Sequence, residues 1–213
     1  MNLWVGRLFL AAGLFLSGSA ALTAEECQPL ITPLSLADPG MMFGRTYFIM
    51  GYTDIDIFKT ILKTTESSWL NMSQSPSAPN EVIMSQGFQT NGTCVASEAS
   101  VTIDGDAATV SQDNVTSTFH LLPTCDGCLL FSINSTAKNI GQYLRTMNIS
   151  SGVKELYGHS LYLMSRELTV KDSDLEQFKQ QVSCLGFTGE PAFQHDPKKG
   201  FCKEGEGIKL KFT

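Results

Sequence analysis

Val82-Ile83-Met84-Ser85-Gln86-Gly87-Phe88-Gln89-Thr90-Asn91-Gly92-Thr93-Cys94-Val95-Ala96-Ser97-Glu98-Ala99-Ser100-Val101-Thr102-Ile103-Asp104-Gly105 holds two extended runs, each closed by a tight-turn dipeptide. Asn-Gly and Asp-Gly between β-prone runs are hairpin signals, because both residues tolerate the positive φ that such turns require. Strands are therefore expected over 82–90, 94–103 and 108–111.

The same punctuation continues on both sides. Residues 45–52 are aromatic and β-branched, as a strand prefers. Residues 54–63 read either as a short helix or as the start of a strand, and Leu70 and Met72 belong to a second strand that 75–80 closes. Residues 119–122, 129–133 and 160–165 bring the total to about eight. Short, evenly spaced strands of this kind predict a mainly β chain, an antiparallel sandwich or barrel. Near the end the period changes. Leu175, Phe178, Val182 and Leu185 recur at helical spacing, with Ser173 and Glu176 as an expected capping box and Gly186 as the stop. This amphipathic helix is expected to lay its apolar side on the sheet.

Sequons give the strand faces. Asn71-Met72-Ser73, Asn91-Gly92-Thr93, Asn114-Val115-Thr116, Asn134-Ser135-Thr136 and Asn148-Ile149-Ser150 are all glycosylation acceptors by sequence. A glycan stands in water, and side chains alternate along a strand. If Asn134 points out, Leu129, Phe131 and Ile133 point in. By the same rule Asn91 sends Val82, Met84, Gln86 and Phe88 inward, and Asn114 sends Phe119 and Leu121 inward. Asn71 sends Leu70 and Met72 inward and leaves Trp69 outside, beneath the helix. Each inferred inner face is the more apolar one. Met50, Met72, Met84 and Met164 join aromatic rings there, and flexible thioethers suit a surface that adapts to varied ligands. The set favours a hollow interior over a filled core.

Arg7, the apolar run 8–16 and the small residues 17–24 have the order of a secretory signal peptide. The run is shorter than the roughly 20 residues of a membrane span. Residues 1–24 are thus expected to be removed, leaving 25–213 as one secreted, soluble domain. The full chain carries 15 Lys and Arg against 21 Asp and Glu, net −6. An acidic protein without a basic patch is a poor nucleic-acid binder, since phosphate contacts supply most of that affinity.

Six cysteines in an oxidising compartment are expected to pair. Cys125-Asp126-Gly127-Cys128 lacks the helix N-terminus that activates a redox thiol, so a structural disulfide across a hairpin turn is expected there. His120, His159 and His195 have no local metal-ligand spacing, and Asp54 with Asp56 reads as a solvated turn. Neither a nucleophile elbow nor a phosphate loop is present, so no enzyme, metal or cofactor is expected.

The order Cys27, residues 39–44, eight strands, one helix and Cys202 resembles a lipocalin over nearly the whole mature chain. Gly44-Arg45-Thr46-Tyr47-Phe48 stands where that family opens its first strand with Gly-x-Trp, and Thr46 replaces the tryptophan. That departure puts the packing of the barrel floor in question. Arg166 matches the family's arginine under the floor. Residues 27–38 and 41–46 look like the α1-acid glycoprotein group, and specifically its fish members, the tributyltin-binding proteins and the pufferfish saxitoxin- and tetrodotoxin-binding protein.

The resemblance implies an eight-stranded antiparallel up-and-down barrel with a C-terminal helix. It also implies disulfides joining Cys27 to Cys184 and Cys94 to Cys202, with Cys125 and Cys128 left as partners. Strand residues matching Phe48, Phe131, Ser160 and Tyr162 would line a ligand cavity. The expected ligand set is Phe48, Met50, Met72, Met84, Phe88, Phe119, Leu121, Phe131, Ile133, Ser160, Tyr162 and Met164. The implied function is monomeric plasma carriage of small hydrophobic, amphipathic or organometallic molecules, with tributyltin leading. A carrier of endogenous lipids and a non-carrying immunomodulatory glycoprotein are the alternatives. An enzymatic lipocalin would need a free thiol in the cavity, and strand one has none. Residues 136–156 are expected to form a loop near the barrel mouth.

Overall fold

The computed structural model describes residues 22–112, 114–138 and 155–210; residues 1–21 of the expected leader and Asn148 lie outside them. Eight antiparallel strands form a closed barrel: β1 (Gly44–Thr53), β2 (Thr65–Gln74), β3 (Glu81–Thr90), β4 (Thr93–Asp104), β5 (Ala107–Gln112), β6 (Val115–Leu122), β7 (Cys128–Lys138) and β8 (Glu155–Ser165). Each pairs with its sequence neighbours, β1 pairs with β8, and β4 pairs with β5. The decisive hairpin forms as expected. Asn91 at φ 48° and Gly92 at φ 71° supply the two left-handed residues that let β3 fold back onto β4.

Between β1 and β2, residues 54–63 resolve as the helix alternative, α2 (Asp56–Thr64). The loop expected over 136–156 is shorter at both ends, because Lys138 pairs with Glu155 and Thr136 with Tyr157. Residues 139–154 lie outside the described residues.

One end of the barrel is closed by the N-terminal segment. After α1 (Ala24–Ile31), the Leu34 amide donates to the Leu121 carbonyl at 2.8 Å, and that of Leu36 to Gly105 at 3.3 Å. A 3-10 turn (Pro39–Met42) then crosses the base. Leu36 and Met42 are buried among Val82, Val101, Ala108 and Leu121. They fill the floor where Thr46, itself buried, takes the position of the family tryptophan. Arg166 sits at this closed end as the resemblance implies: its Nη2 donates to the Met41 carbonyl at 3.3 Å.

A second core lies outside the barrel wall. The helix α3 (Asp172–Cys184) sets Phe178 and Val182 on Leu122, Leu130, Leu161 and Leu163, with Leu175 and Leu185 at the margin. This is the stripe expected from the sequence. Its C-terminus closes with the Gly186 amide on the Ser183 carbonyl and the Phe187 amide on Val182, both at 3.0 Å. Gly186 at φ 78° makes that reversal possible. The expected capping box is absent. Lys171 is the N-cap without a side-chain bond, Ser173 lies inside the helix and bonds Asp174, and Glu176 pairs with Lys179 instead.

Three disulfides tie these layers together. Cys27 bonds Cys184, joining α1 to α3; Cys94 bonds Cys202, joining β4 to the C-terminal segment; Cys125 bonds Cys128 across the β6–β7 turn. Trp69 points out of the barrel as expected, but the C-terminal segment covers it rather than the helix. Its Nε1 donates to the Cys202 carbonyl at 2.8 Å, and the Arg45 guanidinium lies 4.3 Å over its ring.

Candidate functional site

The barrel interior is hollow. A cavity of about 310 Å³ lies between the strands and the helix α2, within the range of small-molecule sites. Of the expected ligand set, Phe48, Met72, Met84, Phe88, Phe119, Phe131, Ile133, Ser160, Tyr162 and Met164 line it. Registry explains the convergence: Phe131 pairs with Tyr162, Ile133 with Ser160, Met72 with Met84, and Phe119 with Ile133. Directly opposed residues share a face. Leu121 also points inward but sits below the cavity in the packed floor.

Met50 is a correction. The register between β1 and β8 shifts between Phe48 and Met50, so strict alternation fails there. Phe48 pairs with Met164 inside, whereas Met50 pairs with Leu163 and packs with Ile49 and Tyr52 in the outer core.

Beyond Tyr47 and Trp69, the last paired residues, β1 and β2 separate. A short strand, β9 (Phe193–Gln194), pairs with β1 there. Phe193 stacks on Phe48 with ring centroids 4.3 Å apart, so a residue from after α3 helps fill the interior. Gly51 makes room for this packing, since a Cβ there would meet the Phe48 ring and come within 3.1 Å of Tyr162.

Sequence reasoning missed the roof. Phe58, Ile61, Leu62 and Thr65 line the cavity from α2 and its exit. Their spacing of three and four is a helical stripe, a signal that was present in residues 54–63. Val110, Ser117 and Ser135 were missed as well, because their strands carry small or polar residues on the inner face.

The roof is held at its N-terminal side by β8. Asp54 is more than a solvated turn: its Oδ1 accepts the His159 amide at 2.6 Å, and its own amide donates to the His159 carbonyl at 3.0 Å. Thr53 Oγ1 donates to the same carbonyl at 3.2 Å. The His159 ring faces away from the cavity, with Nε2 2.8 Å from Ser132 Oγ and the ring stacked on Phe187. Burial pushes its pKa below the ordinary imidazole value, and the nearby Asp54 carboxylate opposes that only in part.

The acceptor side chains Asn91, Asn114 and Asn134 are exposed and Asn71 is half-buried. Among the described residues no group of His, Cys, Asp or Glu is arranged to hold a metal ion. No described helix is long and apolar enough to cross a membrane.

No family model matches the sequence, and no curated protein matches it. Solved structures do match. The siderocalin Q83, described as revealing a dual ligand binding mode, aligns with TM-score 0.56 and 15% identity over 79% of this chain and 96% of that one. The fold is the lipocalin fold. The siderocalin Ex-FABP, described as functioning through dual ligand specificities, aligns with TM-score 0.54 and 14% identity over 73% of this chain and 95% of that one. At such identity the likeness to these lipocalins concerns the barrel architecture alone.

Proposed function

We propose that this lipocalin-fold chain is a secreted glycoprotein that carries small hydrophobic or amphipathic molecules by reversible burial in its barrel. The observation that carries the reading is the cavity of about 310 Å³ walled by rings and thioethers. Apolar surface removed from water there contributes roughly 25 cal/mol per Å². A few hydroxyls orient the guest. The leader, the sequons and the three disulfides fit an extracellular setting, with glycans on Asn71, Asn91, Asn114, Asn134 and Asn148.

Within that class the reading favours sequestration of a xenobiotic, an organotin such as tributyltin ahead of tetrodotoxin. The sequence resemblance in 27–38 and 41–46 supports the group. A cavity lined by neutral side chains disfavours a guanidinium toxin, whose charge would be buried without a partner. All six cysteines are in disulfides, so the thiol chemistry of an enzymatic lipocalin has no nucleophile here.

Native mass spectrometry of protein purified from its natural fluid tests the reading, together with displacement of an apolar fluorophore. A retained small molecule and saturable displacement are expected. A protein that binds neither in its native glycosylated form is not a carrier.

A further inference from the structure

The lining of the cavity is apolar at both ends and carries uncharged polar groups between them. Nearest the floor the wall is ring and thioether: Met72 is paired with Met84, Met164 with Phe48, and Phe131 lies one row below Phe119. The roof is apolar again, built by Phe58, Ile61 and Leu62. Between them lies a polar belt: Ser117 and Ser135 are paired across β6 and β7, Ser160 lies one row nearer the floor beside Ile133, and Ser68 and Gln86 line the cavity from β2 and β3.

Every one of these polar groups is neutral. Ser117 and Ser135 share one hydrogen bond at 2.8 Å, which uses one hydroxyl proton and leaves the second to donate. Ser160 Oγ donates to Thr53 Oγ1 at 2.8 Å and keeps its lone pairs. Gln86 adds a carboxamide, which can both donate and accept. The belt can therefore satisfy a hydroxyl, carbonyl or amide from either side. It cannot neutralise an ion, because among the described residues no Asp, Glu, Lys, Arg or His lines the cavity. A charge enclosed without a counter-charge carries a large desolvation penalty, whereas a hydrogen-bonded neutral group carries little.

We propose that the cavity selects uncharged amphipathic molecules, with an apolar body against the rings and thioethers and one neutral hydrogen-bonding group at the Ser117, Ser135 and Gln86 belt. It rejects the anion and the cation of the same skeleton. This deepens the carrier reading and rests on it.

Four compact probes small enough to be wholly enclosed test the proposal on the full glycosylated protein: methylnaphthalene, naphthylmethanol, naphthoate and naphthylmethylammonium. At neutral pH the alcohol is expected to bind at least about tenfold more tightly than either ion. Naphthoate affinity should recover as the pH falls through the probe's own carboxyl range. In a Gln86→Leu, Ser117→Ala double variant, the alcohol's advantage over methylnaphthalene should shrink about fivefold. Either ion binding as tightly as the alcohol overturns the proposal and leaves the carrier reading standing. Failure of all four to bind overturns the carrier reading and the proposal with it. The charge series uses the native protein alone, so it decides the matter even where the double variant does not fold.

Discussion

Gly158 on β8 lies so close to Ile55 that a methyl group on its Cα would collide with the Ile55 side chain and with the Asp54 carboxylate. The close approach seats the start of α2 against the barrel rim, where the His159 backbone and Asp54 exchange hydrogen bonds. The roof of the cavity depends on that seat, because Phe58, Ile61 and Leu62 follow within two turns.

Gly158→Ala should therefore unseat the roof. Overpacking at a rigid backbone contact costs about 1–3 kcal/mol. The dissociation rate of a bound fluorophore should rise, and the urea midpoint should fall. Unchanged release and unchanged stability would show that α2 is not held by this contact.

Met50 and Met84 separate the two sides of the wall. Met50→Ala should cost about 2–5 kcal/mol of stability, as a truncation in a packed core, with fluorophore affinity intact. Met84→Ala should alter affinity, since Met84 lines the cavity and is only partly buried. Titration and denaturation of both variants check this, and the reverse pattern would contradict the bulge.

Much of this arrangement was legible beforehand, and the failures have local causes. Asn91, Asn114 and Asn134 set the parity of β3, β6 and β7 because those stretches keep regular alternation down to the floor. Met50 broke the rule because a bulge is decided by packing across the sheet, here where β9 displaces β2 from the side of β1. Phe193 was invisible for a related reason: it reaches Phe48 from a segment with no strand pattern of its own. The floor could not be read either, because Thr46 had removed its signature and Leu36 and Met42 fill the space from an irregular chain. Ser173 with Glu176 matched a capping box in spacing, yet the helix begins earlier, at Asp172.

Gln181 is a second structural hub. Wholly buried in α3, its Nε2 donates at 2.7 Å to both the Leu30 and the Pro123 carbonyls. Gln181→Ala should cost about 1–3 kcal/mol for each carbonyl left unpaired and leave ligand affinity unchanged. Equilibrium unfolding of the variant measures it, and a loss below 1 kcal/mol would deny the hub.

The disulfides should differ in worth with the chain they close. Cys27 and Cys184 are separated by 157 residues, Cys125 and Cys128 by 3. Replacing the long-range pair by alanine should cost about 2–5 kcal/mol, and replacing the turn pair far less. Equal losses in denaturant unfolding would mean that the long-range bond adds little constraint on the unfolded chain.

Acid should loosen the fold through two imidazoles. Burial depresses the pKa of His159 and of His195 below the ordinary 6.5. The unfolded chain then binds protons more readily than the folded one. The contribution is complete above 6.5 and is lost as the pH falls below it toward each folded value. A His159→Gln, His195→Gln variant should show a flatter fall in unfolding free energy over that window; an unaltered slope would assign the effect to other groups.

The most direct test of the hollow barrel is methyl-carbon NMR of the methionines during titration with an uncharged apolar ligand. Met72, Met84 and Met164, the three at the cavity wall, should shift together and saturate, while Met50 on the far side of the wall stays fixed. No change at those three, or movement of Met50 in their place, would contradict the account.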